Sequence, residues 1–296
     1  MLADIELLDV SVTDEAMRET IQAKLGRLEE IIRPLGRAII AFSGGVDSTL
    51  VLKVAYDVLG DDVLGVTAVS PSLARAELEE AIELARHIGA PHRLLETHEV
   101  EDPNYAANPA NRCYFCKAEV HDALLELATQ EGYAYILDGT NVDDMGDFRP
   151  GQKAAQERGV RAPLKEAGLT KRDVRVLARH LGLPNWNKPA AACLSSRIPY
   201  GKPVTVAALR QIETAEAVLR DLGFRHLRVR HHEDLARIEV SPDDFDRLLA
   251  VREEAVRRLK EAGYTYVTLD LLGYRTGSLN EVLRRAGNGP QVPGHE

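Results

Sequence analysis

Apolar residues recur at helical spacing through residues 13–35, at Met17, Ile21, Leu25, Leu28, Ile31 and Ile32, and predict a first helix there. A short apolar run follows, Ala38-Ile39-Ile40-Ala41-Phe42, and stops at Ser43-Gly44-Gly45. Helical spacing resumes over 48–59. The order is strand, glycine-rich turn, helix. Val63–Val69 reads as a second buried strand, 73–88 as a helix, 92–95 as a weaker strand, 117–131 as a helix, 134–137 as a strand and 171–181 as a helix. Apolar strands alternating with helices predict an α/β fold, a doubly wound, Rossmann-like parallel sheet covered on both faces.

The rhythm changes at 183–203, where LPNWNKPAAACLSSRIPYGKP carries four prolines and no helical period. A stretch this long without structure of its own is often functional. Beyond it, 206–222 reads as a helix, 227–230 and 236–240 as strands, 243–262 as a helix and 266–271 as a strand, the order of a small α+β domain. The expected division is therefore 1–200 and 204–285, with 286–296 a frayed tail.

Composition narrows the function. The chain has 296 residues, 45% hydrophobic and 28% charged, enough for a sizeable core and unlike a disordered chain. Its net charge of −9 argues against a generally basic nucleic-acid binder. No apolar run approaches the roughly 20 residues that span a bilayer, and the acidic start MLADIELLDV is unlike a signal peptide. Three cysteines are odd in number and too few for a disulfide scaffold, so a reduced, cytoplasmic protein is expected.

Ser43-Gly44-Gly45-Val46-Asp47-Ser48 lies between a buried strand and a helix. Small residues let backbone N–H groups approach an anion, and the helix start favours negative charge. Ser43 and Ser48 add hydroxyls. Asp47 repels a bare phosphate but suits a site where Mg²⁺ bridges carboxylate and phosphate. The lysine of the Walker motif is missing, which disfavours an ordinary P-loop kinase or GTPase. The plain alternative is a Gly-Gly turn with Asp47 capping the helix. A second polar turn, Asp138-Gly139-Thr140-Asn141-Val142-Asp143-Asp144, follows the strand at 134–137 and falls at the same sheet edge.

Cys113-Tyr114-Phe115-Cys116 is a C-x-x-C, and Cys193 lies in the proline-rich stretch. A redox pair, a zinc half-site and part of an iron–sulfur site all use this spacing. No nearby second pair completes a zinc site. Three thiolates with one open position suit a [4Fe–4S] cluster; three unrelated cysteines are the bland alternative. Arg112 and Lys117 flank the pair, a setting that lowers a thiol pKa. Arg228 and Arg230 are two apart on a predicted strand and project from one face. Taken alone, they read as a solvated face paired with Glu233 and Asp234. Trp186 reads as a core or hinge residue.

The hexapeptide at 43–48 resembles the S-G-G-x-D-S signature of the PP-loop ATP pyrophosphatases. That resemblance implies cleavage of ATP between its α- and β-phosphates, adenylation of an acceptor oxygen and displacement of AMP by a nucleophile. It implies that Ser43, Gly44, Gly45, Asp47 and Ser48 bind pyrophosphate and its Mg²⁺, that backbone near Ala41, Thr67 and Ala68 faces the adenosine, and that Gly139, Asp143 and Lys165 complete the nucleotide and magnesium site. The succession S-G-G-V-D-S, N-R-C-Y-F-C-K, G-T-N-V-D-D and W-N-K-P-A-A-A-C-L-S-S-R-I-P-Y-G is similar to the LarE family over about residues 13–284. Members adenylate a carboxylate of a pyridinium dicarboxylate mononucleotide and deliver sulfur, giving a thiocarboxylate for the nickel-pincer cofactor of lactate racemase. The family holds two sulfur chemistries. In one, a single cysteine of the proline-rich loop surrenders its sulfur and becomes dehydroalanine; in the other, three cysteines hold a [4Fe–4S] cluster. With Cys113, Cys116 and Cys193 all present, the cluster form is the expectation, and the register of a sacrificial residue between Ala192 and Cys193 stays open. The resemblance further implies that Arg228 and Arg230 bind the substrate's phosphate, with Ser196, Arg197 and Glu216 as lesser candidates. A small nucleotide-like substrate, a homo-oligomer and no membrane partner are expected. The rivals are an ammonia-using ligase of the NAD synthetase type, a tRNA thiolation enzyme and a nucleotide-sensing module.

Overall fold

The computed structural model describes residues 15–146, 150–190, 192–275 and 277–285. The expected tail at 286–296 and the first two residues of the helix at 13–35 lie outside them. Contacts divide the chain into two compact units, and the division does not follow the chain. The first holds Met1–Val69, Arg75–Thr97 and Lys117–Ala191; the second holds Ser70–Ala74, His98–Cys116 and Ala192–Glu296. The single cut expected near 200 follows the sequence, whereas contacts also assign two earlier segments to the second unit.

In the first unit the elements are α1 (Glu15–Ile32), β1 (Ala38–Ala41), α2 (Val46–Leu59), β2 (Val63–Val69), α3 (Arg75–Ile88), β3 (His92–Glu96), most of α4 (Arg112–Glu131), β4 (Tyr135–Leu137) and α5 (Lys171–His180). The strands form a parallel sheet in the order β3-β2-β1-β4. Strand side chains alternate between faces, and β1 shows the consequence. Ile40 packs with Leu28, Leu50, Leu137 and Leu177 on one side, and its neighbour Ile39 with Leu64, Leu124 and Ile136 on the other. Both isoleucines are fully buried. The sheet is thus covered twice, as an apolar strand read-out requires. Strand order reverses beside β1, so the carboxyl ends of β1 and β4 flank a crevice of the kind that takes ligands.

The second unit contains α6 (Val206–Asp221), β5 (Leu227–His232), β6 (Leu235–Val240), α7 (Arg252–Glu261) and β7 (Tyr266–Leu269). Its sheet runs β5-β6-β7, with β5 antiparallel and β7 parallel to β6. Phe224, Val229, Ile238, Leu259 and Tyr264 fill one core. A separate cluster joins Ala74, Tyr105, Leu194, Ile198, Leu209 and Ile212, drawn from all three chain segments of the unit.

The single helix expected over 243–262 is two, Phe245–Ala250 and α7, broken at Val251 (φ −104°, ψ 15°). Leu248, Ala255 and Leu259 keep helical spacing across the break, so periodicity has nothing to register. Helix α4 starts at Arg112, five residues before the expected 117, and takes in the C-x-x-C. Short helices at Pro103–Ala106, Pro150–Glu157 and Pro163–Glu166 were not expected.

His121 of α4 is 1% exposed, and its Nδ1 is buried without a hydrogen-bond partner among the described residues. Burial, then the charges of Lys117 and Arg158, push its pKa down from 6.5 to about 3. Between those values the unfolded chain binds the proton and the folded chain does not. Stability is therefore full above pH 6.5 and declines as pH falls toward 3, at roughly 1.4 kcal/mol per pH unit. Urea unfolding at pH 7 and pH 5 should show this loss in wild type and a flatter profile in His121→Leu.

Candidate functional site

The Ser43–Ser48 turn connects β1 to α2. Ser48 Oγ accepts from the Ser43 N–H at 3.2 Å and donates to the Gly45 carbonyl at 3.1 Å, drawing the hexapeptide into a closed turn. Gly44 has φ +68°, where a side chain is strained, and an added Cβ would lie 3.0 Å from Ala81 Cβ on α3. Asn185, near the start of the proline-rich stretch, donates from Nδ2 to the Gly44 carbonyl at 3.1 Å and to Thr49 Oγ1 at 2.9 Å.

The second polar turn meets the first turn of α2 directly. A Cβ on Gly139 would stand 2.7 Å from the Ser48 nitrogen and 3.0 Å from Asp47 Cβ, so this position tolerates only glycine. Asn141 Nδ2 donates to Asp47 Oδ1 at 3.1 Å, while Asn141 Oδ1 accepts from the Asp143 N–H at 3.0 Å. Lys171, the first residue of α5, pairs through Nζ with Asp47 Oδ2 and through its backbone N–H with Asp143 Oδ2 at 2.8 Å. Thr170 caps that helix in a capping box with Asp173, which fixes where Lys171 begins. Asp47 and Asp143 therefore share one small neighbourhood organised by Asn141 and Lys171. Burial pushes the carboxyl of Asp138, the first residue of this turn, upward in pKa, against the hydrogen bond it accepts from the Thr140 N–H.

Lys165 and Thr67, two further candidates, lie as follows. Lys165 is exposed, and its backbone N–H donates to the Thr140 carbonyl; the lysine that reaches Asp47 is Lys171. Thr67 is buried, with Oγ1 donating to the Phe42 carbonyl at 2.9 Å and lying 2.8 Å from His92 Nε2. Its hydroxyl ties β1, β2 and β3 together, which leaves only its backbone for a nucleotide.

The second unit assembles the other candidates. The polar segment 104–112 is a scaffold for the Cys193 loop. Tyr105 Oη lies 2.6 Å from Ser195 Oγ, and Arg112 donates to Asn108 Oδ1 and to the Ser195 carbonyl at 3.1 Å. Asn108, at φ +56°, donates onward to the carbonyls of Pro199 (2.8 Å) and Lys202 (2.9 Å). Arg112 is 3% exposed. Burial works against its charge, and Cys193, Cys113 and Tyr105 more than restore it, so its pKa rises. Tyr105 is raised by burial and then by Cys193 and Cys116. All three thiols thus act on one Arg112–Tyr105 pair, with Cys113 and Cys193 exposed and Cys116 half-buried.

Arg197 forms a two-pronged pair with the fully buried Glu216 (2.7 and 3.1 Å), and its Nη1 donates to the Ala192 and Cys193 carbonyls at 2.6 and 3.1 Å and to Ser196 Oγ at 3.0 Å. Arg230 pairs likewise with Glu239 (2.9 and 3.0 Å) and donates to the Ser196 carbonyl at 2.6 Å. Arg228 has a different environment. It stacks 4.5 Å from the Tyr274 ring centroid and donates to the Arg275 carbonyl. Burial lowers its pKa, and Arg230 and Arg197 add to the effect against an opposing contribution from Tyr274. All three arginines are buried rather than solvated, and Arg228 carries the charge that no carboxylate is seen to bridge among the described residues.

No family model matches the chain. It is 51% identical over 267 residues to the uncharacterized protein slr1717 of Synechocystis, covering 90% of this chain and 100% of that one. It is 41% identical over 268 residues to the pyridinium-3,5-bisthiocarboxylic acid mononucleotide synthase of Lactiplantibacillus plantarum, covering 90% and 97% of the two chains. A more distant match, 30% over 221 residues, is the tRNA-specific 2-thiouridylase MnmA of Xanthobacter autotrophicus, covering 61% and 56%.

The close approach of Gly139 supplies a test. Gly139→Ala should force the two turns apart, costing about 1–3 kcal/mol in urea unfolding, and should lower ATP turnover at least tenfold by displacing Asp47 and Asn141.

Proposed function

The chain belongs to the LarE family of ATP-dependent sulfur transferases, and on that footing we propose that it activates a carboxylate of a pyridinium dicarboxylate mononucleotide and replaces its oxygen by sulfur. The observation that carries this reading is the meeting of the S-G-G-V-D-S loop with Asn141 and Lys171 around Asp47 at the switch point of a parallel sheet. In the first step the substrate carboxylate attacks the α-phosphorus of ATP. The bond to the bridging oxygen breaks, pyrophosphate leaves and an acyl-adenylate forms. Loop N–H groups and the start of α2 hold the leaving anion, and stabilising charge where it develops lowers the barrier. Asp47 and Asp143 are the proposed Mg²⁺ ligands; Lys171 then lies beside both, ready to offset phosphate charge. In the second step a sulfur nucleophile attacks the acyl carbon and AMP leaves.

The proposed substrate site is Arg228 with Ser196, and Arg197 and Arg230 act by shaping the Cys193 loop. Buried arginine suits a phosphate because its planar fork matches the oxygens. The sulfur source is assigned to the three cysteines. Among the described residues no three His, Cys, Asp or Glu side chains stand close enough together to hold a metal ion. The fit to a [4Fe–4S] cluster is one of donor type: three free thiols belong to one unit, Cys193 near both Arg112 and Tyr105, Cys113 near Arg112 and Cys116 near Tyr105. Such a cluster, when bound, would supply a sulfide at its open iron. Cys113, Cys116 and Cys193 would hold it, and Arg112 would balance their negative charge.

A reduced, cytoplasmic setting fits three thiols and an acidic chain; among the described residues no helix is long and apolar enough to cross a membrane. A homo-oligomer fits the exposed Tyr266, Leu271 and Leu272 on and beside edge strand β7.

Protein prepared without oxygen should carry close to four iron and four acid-labile sulfide per chain and should form AMP, pyrophosphate and thiocarboxylate from ATP and the mononucleotide. Cys113→Ser should lose the iron and the sulfur transfer while retaining pyrophosphate release. Iron-free wild type with Cys193 converted to dehydroalanine after turnover would replace the cluster by the sacrificial route. Full activity in Cys113→Ser with ammonia as acceptor would replace both by the ligase.

A further inference from the structure

We propose that Asn185 is a positioning residue for the phosphate loop: by holding the Gly44 carbonyl it aims the Gly45 N–H at the pyrophosphate. The inference rests on the reading of that loop as the pyrophosphate site.

A trans peptide points its C=O and its N–H in opposite directions. The Gly44–Gly45 peptide has few intrinsic means of choosing which end faces the ligand, because glycine on both sides makes rotation of the peptide plane cheap. One orientation offers a donor to an anion; the reverse offers a carbonyl oxygen, which repels it. Asn185 Nδ2 settles the choice from outside by donating to the Gly44 oxygen at 3.1 Å. The same Nδ2 donates to Thr49 Oγ1 at 2.9 Å, and that hydroxyl donates to the Gly45 oxygen at 2.9 Å. Consecutive loop carbonyls are thus both held. Lys188 Nζ stands 3.5 Å from the Gly44 oxygen as well, itself kept in place by Glu77 (2.7 Å) and Glu80 (2.9 Å).

On the opposite side, the Gly45 N–H meets only Ser43 Oγ at 3.4 Å, long for such a bond and easily given up to a better acceptor. Asn185 is itself 5% exposed, and its Oδ1 is buried without a hydrogen-bond partner among the described residues. Buried acceptors are rarely left unmatched. Turning the amide over would place Oδ1 against the Gly44 oxygen, so the side chain stays as it is for the sake of its donor.

The test is calorimetric titration of the full chain with Mg-pyrophosphate and, separately, with AMP. In Asn185→Leu, which keeps the size and removes the donor, pyrophosphate affinity should fall at least tenfold and AMP affinity should stay within twofold. Asn185→Ser, smaller and more tolerant of water, should give the same split should the leucine variant fail to fold. Wild-type pyrophosphate affinity in either folded variant overturns the proposal, as does an equal loss for both ligands, which is the mark of a merely structural residue. Failure of the wild type to bind Mg-pyrophosphate overturns the loop assignment itself, and this inference with it.

Discussion

A missing methyl group underlies the arrangement of the first unit. Gly139 lets the turn after β4 lie against the backbone of Asp47 and Ser48, closer than any side chain permits. That contact brings Asn141 within reach of Asp47, and Asn141 in turn orders Asp143 and Asp144 through its own side chain and N–H. Lys171 then closes the group from α5. Charge and phosphate chemistry come from polar residues, but their registration comes from a steric condition at one position. Parallel strand order makes the condition meaningful, because it is the adjacency of β1 and β4 that sets the two turns side by side.

The second unit solves a different problem: holding an irregular, cysteine-bearing loop in one shape without regular structure. It does so with buried guanidinium–carboxylate pairs, Arg197 with Glu216 and Arg230 with Glu239, whose remaining N–H groups are spent on loop carbonyls. Desolvated pairs of this kind contribute little net stability. Here their value lies in specifying geometry, since Arg197 spans the Ala192 and Cys193 carbonyls and Arg230 holds that of Ser196. Neutralising two of the three arginines internally also concentrates the positive charge at Arg228.

The parallel sheet and the glycine-rich turn between β1 and α2 were legible because apolar runs and a Gly-Gly turn leave period and punctuation in the sequence. The cysteines and strand arginines were legible as residue types, and family resemblance gave them roles. What escaped notice depended on tertiary placement. Lys171 and Lys165 are equally plausible on paper; only the capping box at Thr170 puts the former beside Asp47. Asn185 sits in a proline-rich stretch with no period to mark it, and Tyr105 and Asn108 sit in a segment that reads as a polar linker. Thr67 was expected to offer its backbone to the nucleotide; its hydroxyl is committed within the sheet beside His92, which leaves that backbone role as it stood.

The chain passes from one unit to the other at 69/70, 74/75, 97/98, 116/117 and 191/192. As the polypeptide leaves the ribosome, the segment carrying Tyr105, Arg112 and the C-x-x-C emerges about eighty residues before the loop it must clasp. That segment has to wait, its partners unmade, until the rest of its own unit is synthesised. Long separations of this kind slow folding. They also mean that neither unit corresponds to a contiguous stretch of coding sequence, so a gene fragment ending near residue 200 encodes all of the first unit together with two segments and a fringe of the second. No single cut of the gene therefore releases the cysteine-bearing unit by itself.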